Sequence, residues 1–381
     1  MNTKINIKAL FFMLLALALT GCRKAIQVAP EVETNTLFAA DPNAAVKGLY
    51  LLNEGNMYMN KASLDYVDFT SGSYRKNIYN QANPEVTRGL GDVGNDVGVY
   101  GSKIYIVVNG SNKVEVLSVK TGRRIQQIDI INCRYITFSK GKAYVSAYLG
   151  KIGDPNATNG IVAEVDTTTL TITKRVEVGR QPEEMAVIGT NLYVANSGGY
   201  TPSNYESTIS VVNLETFKET KRIQVAVNLH RLKADRYGDL YVTSRGDYYN
   251  ISSKLYVINT QTDLVKKVFD VAAENIVIDD DLAYIYSSAF NMITGKNAIS
   301  YDMINVKDET LLSQKFITDG TDQLITLPYG LAVHPTSKDV FVTDATDHVT
   351  PGMLYCFDSK GKKKWSVETG DIPAQFAFVY K

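Results

Sequence analysis

Short apolar runs with an aromatic residue at their centre recur along the chain. They read Leu49-Tyr50-Leu51, Ile104-Tyr105-Ile106, Ala143-Tyr144-Val145, Leu192-Tyr193-Val194, Leu240-Tyr241-Val242, Ala283-Tyr284-Ile285 and Val340-Phe341-Val342. Their loose period of roughly forty to fifty residues, built from strands and turns alone, predicts a β-propeller with one blade per repeat. Seven repeats predict seven blades. Each repeat resolves into four strands. An inner strand such as Glu184–Ile188 comes first, then a tight turn, then the aromatic strand. A variable loop follows, and a third and fourth strand close the blade, as at 208–214 and 220–225. The turns are rich in Gly, Asn and Asp, the residues that reach the positive φ of tight hairpins.

The first repeat has no inner strand ahead of Leu49. The chain carries Pro373-Ala374-Gln375-Phe376-Ala377-Phe378-Val379 near its C-terminus, which matches the inner-strand pattern of Pro182 to Val187. The expected fold is therefore all-β: a seven-bladed propeller of four-stranded blades, its ring closed by the C-terminal strand. Closure of this kind removes exposed sheet edges.

The N-terminus carries a different pattern. Lys4 and Lys8 precede an apolar stretch from Ala9 to Leu19, too short for a stable membrane span. It ends in Leu19-Thr20-Gly21-Cys22, which looks like a bacterial lipobox. The expected organisation is a lipoprotein signal peptide over 1–21, a lipidated Cys22 with a flexible tether over 22–45, and a propeller over 46–381. Lipid chains supply roughly 0.8 kcal/mol per buried CH₂, so more than one holds a protein firmly.

Composition narrows the partners. Lys+Arg and Asp+Glu are both 40, and this balance argues against a nucleic-acid binder, which would show a basic stripe. Tyr is unusually frequent at 24, against 13 Phe and one Trp, more than the blade cores need. Cys133 and Cys356 fall in different repeats and without metal-ligand spacing, so both read as small buried residues.

Loop length is asymmetric. Inner-to-second and third-to-fourth connections are tight turns on one face. Second-to-third connections on the other face are long: 53–61, 148–160, 196–207, 245–252, 288–298 and 344–352. Long loops on a rigid scaffold carry function. They hold Tyr58, Tyr148, Tyr200, Arg245, Tyr248, Tyr249, Phe290 and His348. The starts of the inner strands open onto the same face. They add Asn95 and Asp96, Arg134 and Tyr135, Glu183 and Glu184, His230 and Arg231, then Glu274 and Asn275, Tyr329, Gln375 and Phe376. Such a ring of polar and aromatic groups suits a large amphipathic ligand.

Signals for catalysis are weak. The chain has three histidines, none in a metal-binding pair, no nucleophile elbow and no phosphate loop. Asp154 to Gly160 falls short of a calcium loop, because it fails at the glycine position and lacks the distal Glu. No catalytic residue, metal site or cofactor is expected.

Gly48 to Asn56, Gly91 to Asp96, Ile104 to Lys113 and Arg134 to Ser146 resemble the YncE-like seven-bladed surface lipoproteins. Some members bind cobalamin and hand it to a TonB-dependent outer-membrane transporter. The resemblance therefore implies a lipid-anchored outer-membrane protein that binds a corrinoid on the long-loop face and passes it to such a transporter. Arg23-Lys24 stand where surface-displayed members carry acidic residues, so a periplasm-facing position is the alternative to the cell surface. Other readings are a ferric-siderophore or haem binder, a protein-interaction propeller, and a propeller enzyme of lactonase or quinoprotein type.

Overall fold

The computed structural model describes residues 33–150, 154, 156–201, 204–291 and 296–380. Seven antiparallel sheets stand in a ring, numbered here as blades one to seven in chain order. Six have four strands and blade one has five. The strand Pro373–Tyr380 is the inner strand of blade one and pairs with Val46–Asn53, Leu49 facing Phe378 and Leu51 facing Phe376. The ring is therefore closed by a strand from the far end of the chain. Among the described residues the helices are the short turns Ile78–Ala82 and Thr321–Leu324, and none is long and apolar enough to cross a membrane.

The central aromatic of each repeat has the same task. Tyr50, Tyr105, Tyr144, Tyr193, Tyr241, Tyr284 and Phe341 lie in seven separate apolar clusters, each filling the gap to the next blade. Tyrosine does more there than phenylalanine could. The hydroxyls of Tyr50, Tyr105 and Tyr241 donate to the carbonyls of Val119, Thr167 and Val306, each the first residue after the third strand of the following blade. The ring fills the gap and the hydroxyl fastens the neighbour's turn. Second strands such as Lys103–Val108 are apolar almost throughout because blades cover both their faces, whereas fourth strands such as Arg124–Asp129 are polar and exposed at the rim.

The third-to-fourth turns share a side-chain device. Asp166, Asn213, Asn259 and Asn305 each accept two backbone N–H groups from the turn that follows. Four residues after each stands a left-handed residue: Leu170, Phe217, Asp263 and Glu309. These Asx turns fix the hairpins without requiring glycine.

The seam between blades seven and one is the most aromatic. Phe341 packs against Phe69, Trp365, Phe376 and Phe378. Residues expected to belong to the tether join it. Thr34–Thr36 pairs with Ser73–Arg75 as a fifth strand, and Phe38 stacks on Trp365 with ring centroids 5.9 Å apart. Cys22 and the signal segment lie outside the described residues. Cys133 and Cys356 are buried and unbridged, and His334 is structural: its Nδ1 accepts the N–H groups of Thr336 and Ser337.

One expected loop is strand over much of its length. Strands Leu282–Asn291 and Lys296–Asn305 of blade six keep pairing out to Asn291 and Lys296, so 288–291 and 296–298, expected within a long loop, are paired strand.

Candidate functional site

Each inner strand breaks register where it enters the ring. The pairing slips at Asn95, Arg134–Tyr135, Glu183–Glu184, His230–Arg231, Glu274, Tyr329–Gly330 and Ala374. A bulge re-aims the side chains it contains. Here it lets the starts of the inner strands serve two levels of the central channel.

Some of these groups build the channel. Asp96 accepts the Ile136 N–H of the next blade at 2.9 Å, and Glu184 accepts the Leu232 N–H at 2.8 Å. The hydroxyls of Ser146 and Thr343 accept a bulge N–H in their own blade and donate to a carbonyl of the next, Glu183 and Pro373. Asp96, Asn275 and Phe376, expected at the ligand face, therefore line the channel lower down with Glu184 and Lys233. The bulges turn them away from the long-loop face.

The rest line a cavity of about 860 Å³ on the long-loop face. It gathers Asn95, Arg134, Tyr135, Arg231, Tyr329 and Gln375 from the inner strands, and Tyr200, Arg245, Tyr248 and Tyr249 from the loops. Three expected members are elsewhere. Tyr58 is 88% exposed and stands clear of the cavity. Tyr148 and Glu183 are buried behind its wall, where the Tyr148 hydroxyl donates to the Glu183 carboxylate. The Phe290 side chain lies outside the described residues. The structure adds Glu54, Met57 and Tyr286, and it also brings His230, Glu274 and His348 to the cavity, as expected. His230, Glu274 and His348 could be read from their places in the repeat. Glu54 follows the first aromatic strand directly, and Tyr286 lies two residues beyond the repeat's own Tyr284.

The rim is aromatic and set by loop geometry. Tyr200, Tyr248 and His348 each stand four residues past the end of a second strand and have φ near +60°: 62°, 63° and 63°. Bulky residues rarely adopt this conformation, and its recurrence marks an imposed shape. In blade five the Asp247 carboxylate imposes it by accepting the N–H groups of Tyr249, Asn250 and Ile251. Those bonds hold Asp247 below the usual carboxylate range. Tyr248 and Tyr249 are left 67% and 83% exposed, free to receive a flat apolar surface.

The floor is cationic and aromatic. Arg134 places Nε and Nη2 at 3.2 and 3.1 Å from Glu183 Oε2 and lies over the rings of Tyr135 and Tyr148. Arg245 approaches the same carboxylate at 3.5 Å. Burial alone would push Glu183 up, but Arg134, Arg245 and the Tyr148 hydroxyl hold it below its ordinary value. Arg231 lies over Tyr135, and the Gln375 amide, turned to accept, puts its oxygen 3.0 Å from both terminal nitrogens. His230 shares a 2.9 Å hydrogen bond with Tyr135, and burial beside Arg245, Arg231 and Arg134 drives its pKa well down, so the imidazole is neutral. Burial raises Glu54, which accepts from Tyr329 at 2.7 Å, and raises Glu274. Among the described residues no group of three or more His, Cys, Asp and Glu is placed to hold a metal ion.

Three solved structures with this architecture are distant in sequence. A hypothetical selenium-binding protein from Sulfolobus tokodaii superposes with a TM-score of 0.65 at 11% identity, covering 90% of this chain and 97% of that one. A quinonprotein alcohol dehydrogenase-like protein from Bacteroides thetaiotaomicron gives 0.58 at 14%, covering 88% and 79%. Kuenenia stuttgartiensis hydrazine synthase gives 0.55 at 13%, covering 70% and 76%. Likeness at this identity speaks to fold alone. No curated protein matches. Residues 47–378, nearly the whole propeller, match the model of a domain of unknown function, DUF5074, and the chain belongs to that family.

Proposed function

We propose that this propeller is a non-catalytic binding lipoprotein. It takes up a bulky nutrient, a corrinoid, on its long-loop face and passes it to a TonB-dependent outer-membrane transporter. The observation that carries the reading is the cavity itself, about 860 Å³ with an exposed tyrosine rim over a polar, aromatic floor. That volume lies toward the upper end of the range for small-molecule sites, as a macrocycle requires. A corrinoid offers a broad, partly apolar ring edged with amides. Tyr248 and Tyr249 match its face, while the side chains of Asn95 and Gln375 on the floor match amides. A tyrosine ring buries roughly 150–250 Å², an upper bound of about 4–6 kcal/mol at ~25 cal/mol per Å² before ordering costs. A few such rings on a preformed face support tight binding without a metal ligand from the protein.

The reading is of a binder rather than an enzyme. Glu183, the most buried carboxylate at the site, is committed to ion pairs with Arg134 and Arg245, and His230 is held to Tyr135. Calorimetry with cyanocobalamin on the mature domain is the test. Binding is expected, and the double change Tyr248→Ala with Tyr249→Ala should weaken it by at least about tenfold, equivalent to ~1.4 kcal/mol. No heat and no co-elution at micromolar concentration would reject the corrinoid and make ferric siderophores and haem the next ligands to try.

A further inference from the structure

Cationic groups at the cavity floor outnumber the carboxylates that touch them. Arg134 and Arg245 share one carboxylate, Glu183, which the Tyr148 hydroxyl also engages. Arg231 reaches Glu184 only at 3.8 Å, and that carboxylate already holds Lys233 at 2.6 Å and the Leu232 N–H. Three guanidiniums and an ammonium thus lean on two carboxylates. Glu54 and Glu274 also line the cavity, yet neither comes within ion-pair distance of an arginine among the described residues. Burial raises both, against the pull of the nearby arginines. Asp96, below, is pushed up to about 7 by burial and is tied to the backbone of blade three. Arg231 Nε is also buried without a partner among the described residues. Guanidinium groups favour planar or tetrahedral oxyanions, and they do so most where water is scarce.

We infer that Arg134, Arg231 and Arg245 form a subsite for one anionic oxo group, a carboxylate or phosphate carried by the ligand that the tyrosine rim receives. This rests on the binding reading above. For a corrinoid the group is the phosphodiester of the nucleotide tail, reaching the floor while the corrin ring meets the rim. The ligand would thus be recognised at two levels, by shape above and by charge below.

Two titrations test it, with probes chosen to fail separately. In the first, inorganic pyrophosphate is added at millimolar concentration and thermal unfolding is followed, with spermidine as the cationic counterpart. Wild type should be stabilised by pyrophosphate and not by spermidine. Arg245→Gln should lose the shift, and Arg245→Lys, which keeps the charge, should retain most of it. In the second, cyanocobalamin is compared with dicyanocobinamide, which has the ring but no nucleotide phosphate. Cyanocobalamin should bind at least about tenfold tighter, with the gap narrowed in Arg245→Gln.

A pyrophosphate shift without corrinoid binding keeps the anion subsite and removes the corrinoid. Equal affinity for the two corrinoids, with no pyrophosphate shift, keeps the corrinoid and overturns the subsite. Stabilisation by spermidine in place of pyrophosphate overturns the subsite outright. The wild-type arms decide the matter even if Arg245→Gln does not fold.

Discussion

Replacing Glu183 by glutamine keeps the shape of a fully buried side chain and removes its charge. In the wild type that carboxylate faces Arg134 at 3.1 and 3.2 Å and Arg245 at 3.5 Å, with the Tyr148 hydroxyl donating to it. Without it, Arg134 stays buried and Arg245 half-buried, with no carboxylate in ion-pair contact among the described residues. Removing one partner of a buried ion pair costs about 3–5 kcal/mol. Domains are stable by only about 5–15 kcal/mol, so the loss should be plain in urea denaturation followed by circular dichroism. The effect has a required pH dependence. Glu183 has its folded pKa below the ordinary value, so its contribution is complete above the unfolded carboxylate range and is lost as pH falls through the folded value. The gap between wild type and Glu183→Gln should therefore be widest near neutrality and close in acid. Extra positive charge at the floor should also tighten pyrophosphate binding. A neutral-pH difference below about 0.5 kcal/mol, the ordinary scatter of surface changes, would refute the claim that this carboxylate holds the floor together. So would a penalty that persists unchanged in acid.

Three further outcomes are expected. Deleting residues 373–380 exposes the edge of Val46–Asn53 and strips one side of the aromatic seam, so the truncated protein should be insoluble or melt much lower; unchanged melting would refute C-terminal closure. Gly246 has φ +66° and a Cβ there would lie 1.9 Å from the Ile251 carbonyl oxygen, so Gly246→Ala should displace the loop bearing Arg245, Tyr248 and Tyr249 and weaken ligand binding; Gly101→Ala, at φ +58° with open space around it, is the control that should leave binding intact in calorimetry. Cys22→Ser should move the protein from the membrane to the soluble fraction, and protease treatment of intact cells carrying the wild type should then tell surface display from a periplasm-facing position.

The blades were legible because their signal is local and repeated. A central aromatic between apolar neighbours, with short turns rich in Gly, Asn and Asp between runs, suffices to place the strands. Closure by residues 373–379 was legible because one repeat lacked an inner strand and the last segment supplied it. The level at which each channel side chain sits was not. It depends on the bulge at each inner strand's entry, and a bulge arises from the fit between neighbouring blades rather than from alternation along one strand. Asp96, Asn275 and Phe376 were misplaced for that reason, although Glu183 and Glu184 do separate as strand alternation requires. Tyr286 was missed because the hairpin of blade six continues where the other blades have loops. Thr34–Thr36 has no apolar pattern because backbone bonds hold it at the edge and Phe38, two residues on, makes the packing contact.

The seam between blades seven and one also carries an optical label of its own. Trp365, the single tryptophan of the chain, sits there against Phe38 and Phe341, while the cavity is lined by tyrosines. Light absorbed by tryptophan alone therefore reports on this seam and on whether the segment bearing Phe38 is docked. Parting of the ring should redden that emission while circular dichroism from the other blades persists. The order in which the propeller opens can then be watched in the native sequence, with no dye attached and no residue changed.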